Sequence, residues 1–262
     1  MSISKIKESA RTALAGKWGK GVCIILAYLA FSILMGFIVG IAQGIFGEDS
    51  IVASLLDIAT SIVQVPIAFG LTFVFIKLKR NEEVKAFDFI DIGFSNFGRA
   101  WKISLRVLLK MILPIIGIIV SIIILGLAIF NAAATAVAGT SMLSFTGLMG
   151  AGLIVYIASL IWLVVVSLLY SLTTVIAYDN PNMKSLEIVN ESAKMMRGNR
   201  GKIFLLDLSF IGWAILTVFT LGIGYLWLLP YMEVALICFY EYLLGKNENN
   251  NPESNVDAIT EM

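Results

Sequence analysis

The sequence predicts an all-α polytopic membrane protein, with six transmembrane helices as three hairpins and a short cytoplasmic amphipathic helix before each hairpin. Three observations support this fold class. Of the 262 residues, 59% are hydrophobic and only 14% are charged, against roughly 25% charged in ordinary soluble domains. Six apolar stretches are each long enough to cross a hydrocarbon core of roughly 30 Å. All nineteen Lys and Arg residues fall on one side of a six-span threading.

The six spans are predicted at residues 21–46, 51–76, 111–134, 152–178, 203–223 and 225–244. The start of the third is open, because Arg106 and Lys110 interrupt the stretch before it and leave either a helix or an interfacial segment there. The last two are separated by a short segment with glycines at 222 and 224. These glycines, together with Pro230, favour a tight hairpin over one long helix.

The basic residues also predict the orientation of the chain. They precede the first span, occupy 77–110 and 179–202, and end with Lys246 after the last span. Because Lys and Arg accumulate on the cytoplasmic side of a membrane, both termini are expected there. The first span is too long for a secretory signal and is interpreted as an uncleaved anchor. Residues 1–244 are expected to form a single six-span membrane domain, and the Asn-rich segment 245–262 a disordered cytoplasmic tail.

Three short basic segments begin with Gly and have Lys at the fifth position, at 16–20, 98–102 and 198–202. An amphipathic stretch precedes each, which predicts a surface helix, a glycine turn and cations at headgroup level. A structural triplication explains this pattern, and so do ordinary basic loops. In the second stretch the predicted apolar face is Phe87, Ile90, Phe94 and Phe97. The basic residues expected at the membrane interface are Lys17, Lys20, Arg99, Lys102, Arg197, Arg200 and Lys202.

Small residues in the first span predict a helix contact. Gly36, Gly40 and Gly44 recur at four-residue intervals, a spacing that lets another helix approach closely. The partner helix belongs either to the same chain or to another subunit.

Four acidic residues fall inside the predicted spans, where a charge is costly. Glu241 and Asp207 lie near the cytoplasmic ends, and Asp207 is expected to form a structural ion pair with Arg106 or Lys110. Glu233 is predicted near the midplane. The candidate intramembrane polar site comprises Glu233, Gln64, Asp57 and Tyr231. It is either a ligand pocket beside broken helices or a protonated Glu that bonds a neighbouring helix.

Reactive motifs are scarce. The chain has no histidine, which excludes His-based catalysis, His-ligated zinc and His-ligated haem. Cys23 and Cys238 lie in predicted spans and are interpreted as packing residues, so no disulfide, metal site or cofactor is expected. The net charge of +1 and the one-sided placement of the basic residues argue against nucleic-acid binding. No enzymatic activity is expected.

Several motifs resemble one protein family. They are the segments SFIGW at 209–213, GIG at 222–224, Trp227, Pro230-Tyr231, Phe239-Tyr240, YDNP at 178–181 and ARTALAGKWGKGV at 10–22. Together they resemble the bacterial membrane family numbered 975 among domains of unknown function. The resemblance implies a multi-pass protein of the bacterial cell membrane, remotely related to the membrane portion of some glycerophosphodiesterases, and carries no activity or ligand. Residues 131–152 depart from the family and are interpreted as an exoplasmic insert.

Two functions remain as hypotheses. The first is a non-enzymatic membrane scaffold, accessory or regulatory module. Its expected partners are a bilayer with anionic headgroups and either a membrane protein or a second copy of the chain. The alternative is a small transporter or permease with a midplane polar site around Glu233.

Overall fold

The structure is a computed structural model that describes residues 2–138 and 143–250, with side chains described over 2–133 and 146–245. Every regular element in these residues is an α-helix. The helices are α1 Ile3–Leu14, α2 Trp18–Phe46, α3 Ile51–Lys79, α4 Asp88–Ser95, α5 Phe97–Ala138, α6 Leu143–Tyr170, α7 Thr173–Asp179, α8 Ser185–Met196, α9 Arg200–Phe219 and α10 Tyr225–Asn250.

Six helical segments are long and apolar enough to cross a membrane, as a multi-pass membrane protein requires. They are Trp18–Phe46, Ile51–Lys79, Phe97–Ala133, Thr146–Asp179, Arg200–Phe219 and Tyr225–Gly245. Each overlaps one of the predicted spans.

The helix ends refine the predicted boundaries. The third span begins with helix at Phe97, so Arg106 and Lys110 lie within α5. Helices α9 and α10 are separate, because Leu221 and Gly222 have φ of 52° and 87° and end the first helix.

Two predicted irregular segments are helical. Residues 245–250 of the expected disordered tail belong to α10, and 251–262 lie outside the described residues. The loop predicted at 135–151 is largely taken up by the ends of α5 and α6, and 139–142 lie outside the described residues.

The chain divides into two compact units. The first comprises residues 1–104 and 172–262, and the second comprises 105–171.

In the first unit, α3 and α10 each have an exposed half and an enclosed half. The exposed apolar side chains of α3 end at Ile62, whereas residues 73–76 are buried. In α10 Trp227 is exposed, whereas residues 237–240 are buried. Helix α3 packs against α2, α4, α7 and α10, and α10 packs also against α1, α2 and α9. The enclosed halves of α3 and α10 are therefore the core of this unit.

Helix α4 crosses α3 with direct backbone contact. A Cβ at Gly70 would lie 2.2 Å from the Phe89 carbonyl oxygen, and one at Gly93 would lie 2.6 Å from the Pro66 carbonyl oxygen. Phe89 is fully buried, while Phe94 is exposed.

The predicted apolar face of the second amphipathic stretch is therefore not the face that packs against protein, and its contact with lipid stays a prediction. Phe87 and Phe94 are exposed, and the buried face carries Phe89 and Gly93 instead. The periodicity selected the large aromatic residues, whereas the contact with α3 requires a glycine where the two backbones meet.

Helices α1 and α8 bury equivalent residues and end in the same turn. The buried positions are Ile6, Ala10 and Leu14 in α1, and Ile188, Ser192 and Met196 in α8. Each helix is followed by a glycine at positive φ, 75° at Gly16 and 76° at Gly198. The first and third basic segments thus share one backbone geometry.

The second basic segment has a different register. Asn96 directly precedes α5, as Lys17 precedes α2 and Asn199 precedes α9. Gly98 therefore occupies the helical position of Gly19 and Gly201, and the predicted alignment of Gly98 with Gly16 and Gly198 is wrong by three residues.

In the second unit, α5 and α6 pack closely through small residues. A Cβ at Gly117 would lie 2.3 Å from Ser159 Oγ, and one at Gly152 would lie 2.8 Å from Leu125 Cδ2. Residue numbers rise along one helix as they fall along the other, so the two helices are antiparallel. Ser121 is buried, and its hydroxyl donates to the Ile118 carbonyl 2.6 Å away within α5.

Candidate functional site

The ionisable residues in the enclosed half of the first unit meet side chains of neighbouring helices. Glu233 of α10 lies level with Thr72 of α3, whose hydroxyl donates to the Glu233 carboxyl group. Glu233 Oε2 is buried and has no hydrogen-bond partner among the described residues. A neutral, protonated carboxyl group suits this position, because an unpaired charge there would be costly.

The predicted polar site is not assembled. Gln64 precedes Thr72 by eight residues of α3, and Asp57 precedes it by fifteen. At 1.5 Å per residue these separations are about 12 Å and about 22 Å along the helix. Asp57 is also exposed. Depth counted from the predicted span ends placed Gln64 level with Glu233. Helix α3 continues three residues beyond the predicted end, to Lys79, which accounts for less than one turn of the difference. The rest is the vertical offset between α3 and α10, which span ends do not reveal.

Tyr231, the fourth predicted residue of that site, instead holds α1. Its hydroxyl donates to the Lys7 carbonyl oxygen over 3.2 Å. The Lys7 ammonium donates to Ser209 Oγ over 3.2 Å and lies 4.9 Å from the ring centroid of Phe210. The ring of Trp18 also neighbours that of Tyr231, with the ring centroids 6.2 Å apart. This cluster fixes α1 to α9 and α10.

A second cluster joins the ends of α3, α7 and α10. Lys79 and Glu241 form an ion pair. Arg80 pairs with Asp179 over 2.7 Å and lies over the ring of Tyr178. Burial alone would lower the pKa of Arg80, but the hydrogen bond and charge of Asp179 outweigh it and raise this pKa. The guanidinium of Arg80 is therefore firmly charged.

The turn after α7 extends this cluster. The guanidinium of Arg99 donates to the Asn180 carbonyl oxygen over 2.5 Å. The Asn180 side-chain amide donates to the Ile176 carbonyl and closes the end of α7. Sequence reasoning assigned no role to Asp179 or Arg80. The available signal was the Asp-Asn-Pro sequence directly after an apolar run, where a turn is expected to be held by side chains.

Three of the seven predicted interface cations contact protein. Besides Arg99, the Lys17 ammonium donates to the Leu78 carbonyl over 2.9 Å, near the C-terminus of α3, where a positive charge is favourable. The Lys202 ammonium donates to the Tyr242 hydroxyl over 3.1 Å. The other four are exposed and have no ion-pair partner among the described residues: Lys20, Lys102, Arg197 and Arg200.

The predicted glycine ridge makes no contact with the part of the chain that the structure describes. A Cβ at Gly36, Gly40 or Gly44 would have no heavy atom of another element within 4 Å. A packing role against the described residues is therefore not seen at these three glycines, and a role between subunits stays a prediction. The close intrachain contacts occur at Gly70 and Gly93 instead.

The predicted ion pair of Asp207 stays a prediction. Asp207 is an exposed residue of α9 in the first unit, while Arg106 and Lys110 are exposed residues of α5 in the second.

Fold and site define an all-helical protein with six helices suited to crossing a membrane and with ionisable side chains that join helix to helix. The chain belongs to the family described as a protein of unknown function (DUF975), whose model matches residues 1–247. This confirms the family indicated by the sequence motifs. No curated protein matches the chain, and no solved structure does.

Proposed function

We propose that this protein is a multi-pass protein of the bacterial cell membrane that acts as a non-enzymatic scaffold, accessory or regulatory module. In this proposal the six spans form three hairpins, and both termini lie in the cytoplasm. Helices α1, α4 and α8 lie at the cytoplasmic interface, with their inner faces against protein and their outer faces toward lipid. The exposed aromatic residues Phe87 and Phe94 support such an outer face.

The main observation behind the proposal is that polar groups of the first unit pair with one another. The charged groups of Lys79, Arg80, Asp179 and Glu241 pair with one another across α3, α7 and α10. Charged side chains that are paired in this way hold the helices in a fixed arrangement. A rigid helical platform suits the binding of another membrane component better than it suits chemistry.

One observation favours the transporter as a second candidate. Glu233 Oε2 is buried without a hydrogen-bond partner among the described residues, three positions after Pro230, which lies inside α10. A buried, unpaired carboxyl group in a membrane-spanning helix is a common element of proton pathways.

Reconstitution into vesicles separates the two candidates. The purified protein is inserted into vesicles that contain a pH-sensitive dye, and proton flux is followed under an imposed voltage and with candidate solutes. The scaffold predicts flux equal to that of empty vesicles for wild type and for Glu233→Gln. The matched control is Glu48→Gln, which neutralises an exposed carboxylate in the α2–α3 connection. Flux that Glu233→Gln abolishes and Glu48→Gln preserves would overturn the scaffold proposal.

A further inference from the structure

A groove of about 610 Å³ lies between α1, α9 and α10 of the first unit. Cationic and aromatic side chains line it near α1, and small residues of the α9–α10 connection line its far end. We call it the α1–α9–α10 groove. The lining residues that matter here are Lys7, Arg11, Trp18, Trp213, Leu216 and Trp227.

The groove carries an uncompensated positive charge. Arg11 has no hydrogen-bond or ion-pair partner among the described residues. The Lys7 ammonium meets the two oxygens of Ser209 and the ring of Phe210, all of which are neutral. Among the residues that the structure describes, no acidic side chain lines the groove. Two cations one helical turn apart, without a counter-charge, favour a phosphate group, which accepts charge-assisted hydrogen bonds from both.

The rest of the groove is apolar and open at the side. Trp213 is 58% exposed, Leu216 56% and Trp227 50%. The groove runs along the start of α10 from Tyr231 back to Gly224, the residue before the helix, which gives it a length of about 10 Å. Indole rings prefer places where an apolar surface meets polar groups, as the ends of lipid chains do. A dissolved anion has no apolar chain and would not cover this apolar surface.

We propose that the α1–α9–α10 groove binds one anionic glycerophospholipid from the bilayer, with its phosphate at Lys7 and Arg11. One acyl chain lies along Trp213, Leu216 and Trp227. The inference rests on the proposed membrane insertion, since the lipid enters from the bilayer through the open side. It adds a specific site to the general attraction of basic residues for anionic headgroups, because it depends on two cations of α1 and on a shaped apolar channel.

Bromine-labelled lipids test the proposal on the full-length protein. The protein is reconstituted into vesicles of equal parts phosphatidylglycerol and phosphatidylcholine, with bromine on the chains of only one of the two lipids. Quenching of tryptophan fluorescence then reports which lipid lies beside the indoles. The Trp162→Phe background removes an exposed indole of the second unit from the signal. We expect stronger quenching by brominated phosphatidylglycerol.

Matched variants test whether the preference for phosphatidylglycerol arises in the α1–α9–α10 groove. Arg11→Gln should weaken the preference for phosphatidylglycerol about fivefold, the effect of one cation near an anionic lipid. Lys85→Gln, which removes an equally exposed cation outside the groove, should leave the preference unchanged. Leu216→Phe should also weaken it, because the larger ring fills the acyl channel without changing the charge and without adding an indole to the signal. Millimolar inorganic phosphate should leave the quenching unchanged, since it lacks a chain.

Three results would overturn the proposal. Equal quenching by the two brominated lipids in the wild-type protein would show that the groove does not select an anionic lipid. The same would follow if Arg11→Gln and Lys85→Gln behaved alike, or if inorganic phosphate reversed the preference. Absence of quenching by either lipid would overturn the membrane insertion itself, so the two failures are distinguishable.

Discussion

At the scale of single residues, the polar contacts follow from breaks in the helical hydrogen-bond pattern. Pro66 lacks an N–H, so the carbonyl of Ile62, four residues before it in α3, has no intrahelical donor. The indole N–H of Trp101 donates to that carbonyl over 3.1 Å. The start of α5 is thus tied to α3 at the carbonyl that Pro66 leaves without an intrahelical donor.

Trp101→Phe tests this tie. The phenylalanine keeps most of the ring and loses the indole donor, so the Ile62 carbonyl is left without a partner in surroundings that hold little water. We expect the free energy of unfolding to fall by about 1 kcal/mol, measured by chemical denaturation in detergent. The control is Trp162→Phe, at an exposed indole without a hydrogen bond in the described residues. Equal effects of the two substitutions would contradict the role of the Ile62 contact.

The sequence predicted residue types better than residue partners. Glu233 was expected to stand out, and it does have an unpaired buried oxygen. Its expected neighbour Gln64 lies about two turns away, since periodicity sets depth along one helix but does not fix the vertical offset between two helices. Arg80 and Asp179 are separated by 99 positions in the chain, and their pairing depends on how α7 meets α3.

At the scale of helices, close packing depends on which glycines face a backbone. Gly70 and Gly93 sit where α3 and α4 touch, and an added methyl group would overlap backbone atoms that cannot move aside. Gly36, Gly40 and Gly44 have the better-known spacing, but none of the described elements packs on them. Spacing shows that a close approach is sterically allowed, and the actual contact depends on the tertiary arrangement.

Gly70→Ala and Gly36→Ala form a matched pair on adjacent helices. Gly70→Ala should lower the free energy of unfolding by about 3 kcal/mol, because the helices must separate to admit the methyl group. Gly36→Ala should be neutral or stabilise the protein by up to about 1 kcal/mol, since alanine favours helix. Denaturation midpoints of the two purified variants check both values. If Gly36→Ala were as destabilising as Gly70→Ala, the ridge at 36–44 would carry a contact, as expected for packing between subunits.

The helical repeat was predictable in part. The segments at Gly16 and Gly198 were matched correctly, because both glycines occupy the left-handed region of φ that glycine adopts easily. The match of Gly98 failed, because this glycine lies inside α5, where its φ is helical and glycine is not needed. A shared residue type therefore identified the repeat in two segments and misplaced it in the third.

At the scale of the whole molecule, composition and the one-sided basic residues predicted six spans, and six helices suited to crossing a membrane are present. The length of an uncharged apolar segment depends on that segment alone, so the sequence was sufficient to predict it. The enclosed halves of α3 and α10 could not be predicted in this way. Their burial arises from α1 and α4, which the sequence placed at the interface, and from α7, which it placed at the end of the fourth span. Hydropathy does not distinguish an apolar surface that faces lipid from one that faces protein.

The most direct test of the central claim is cysteine labelling on intact cells. In a chain with Cys23 and Cys238 replaced by alanine, single cysteines are introduced as Asp49→Cys, Ile223→Cys and Lys85→Cys. The account predicts that a membrane-impermeant maleimide labels the first two variants on intact cells and labels Lys85→Cys only after the membrane is opened. Labelling of Lys85→Cys on intact cells, or protection of Asp49→Cys or Ile223→Cys, would contradict the proposed threading.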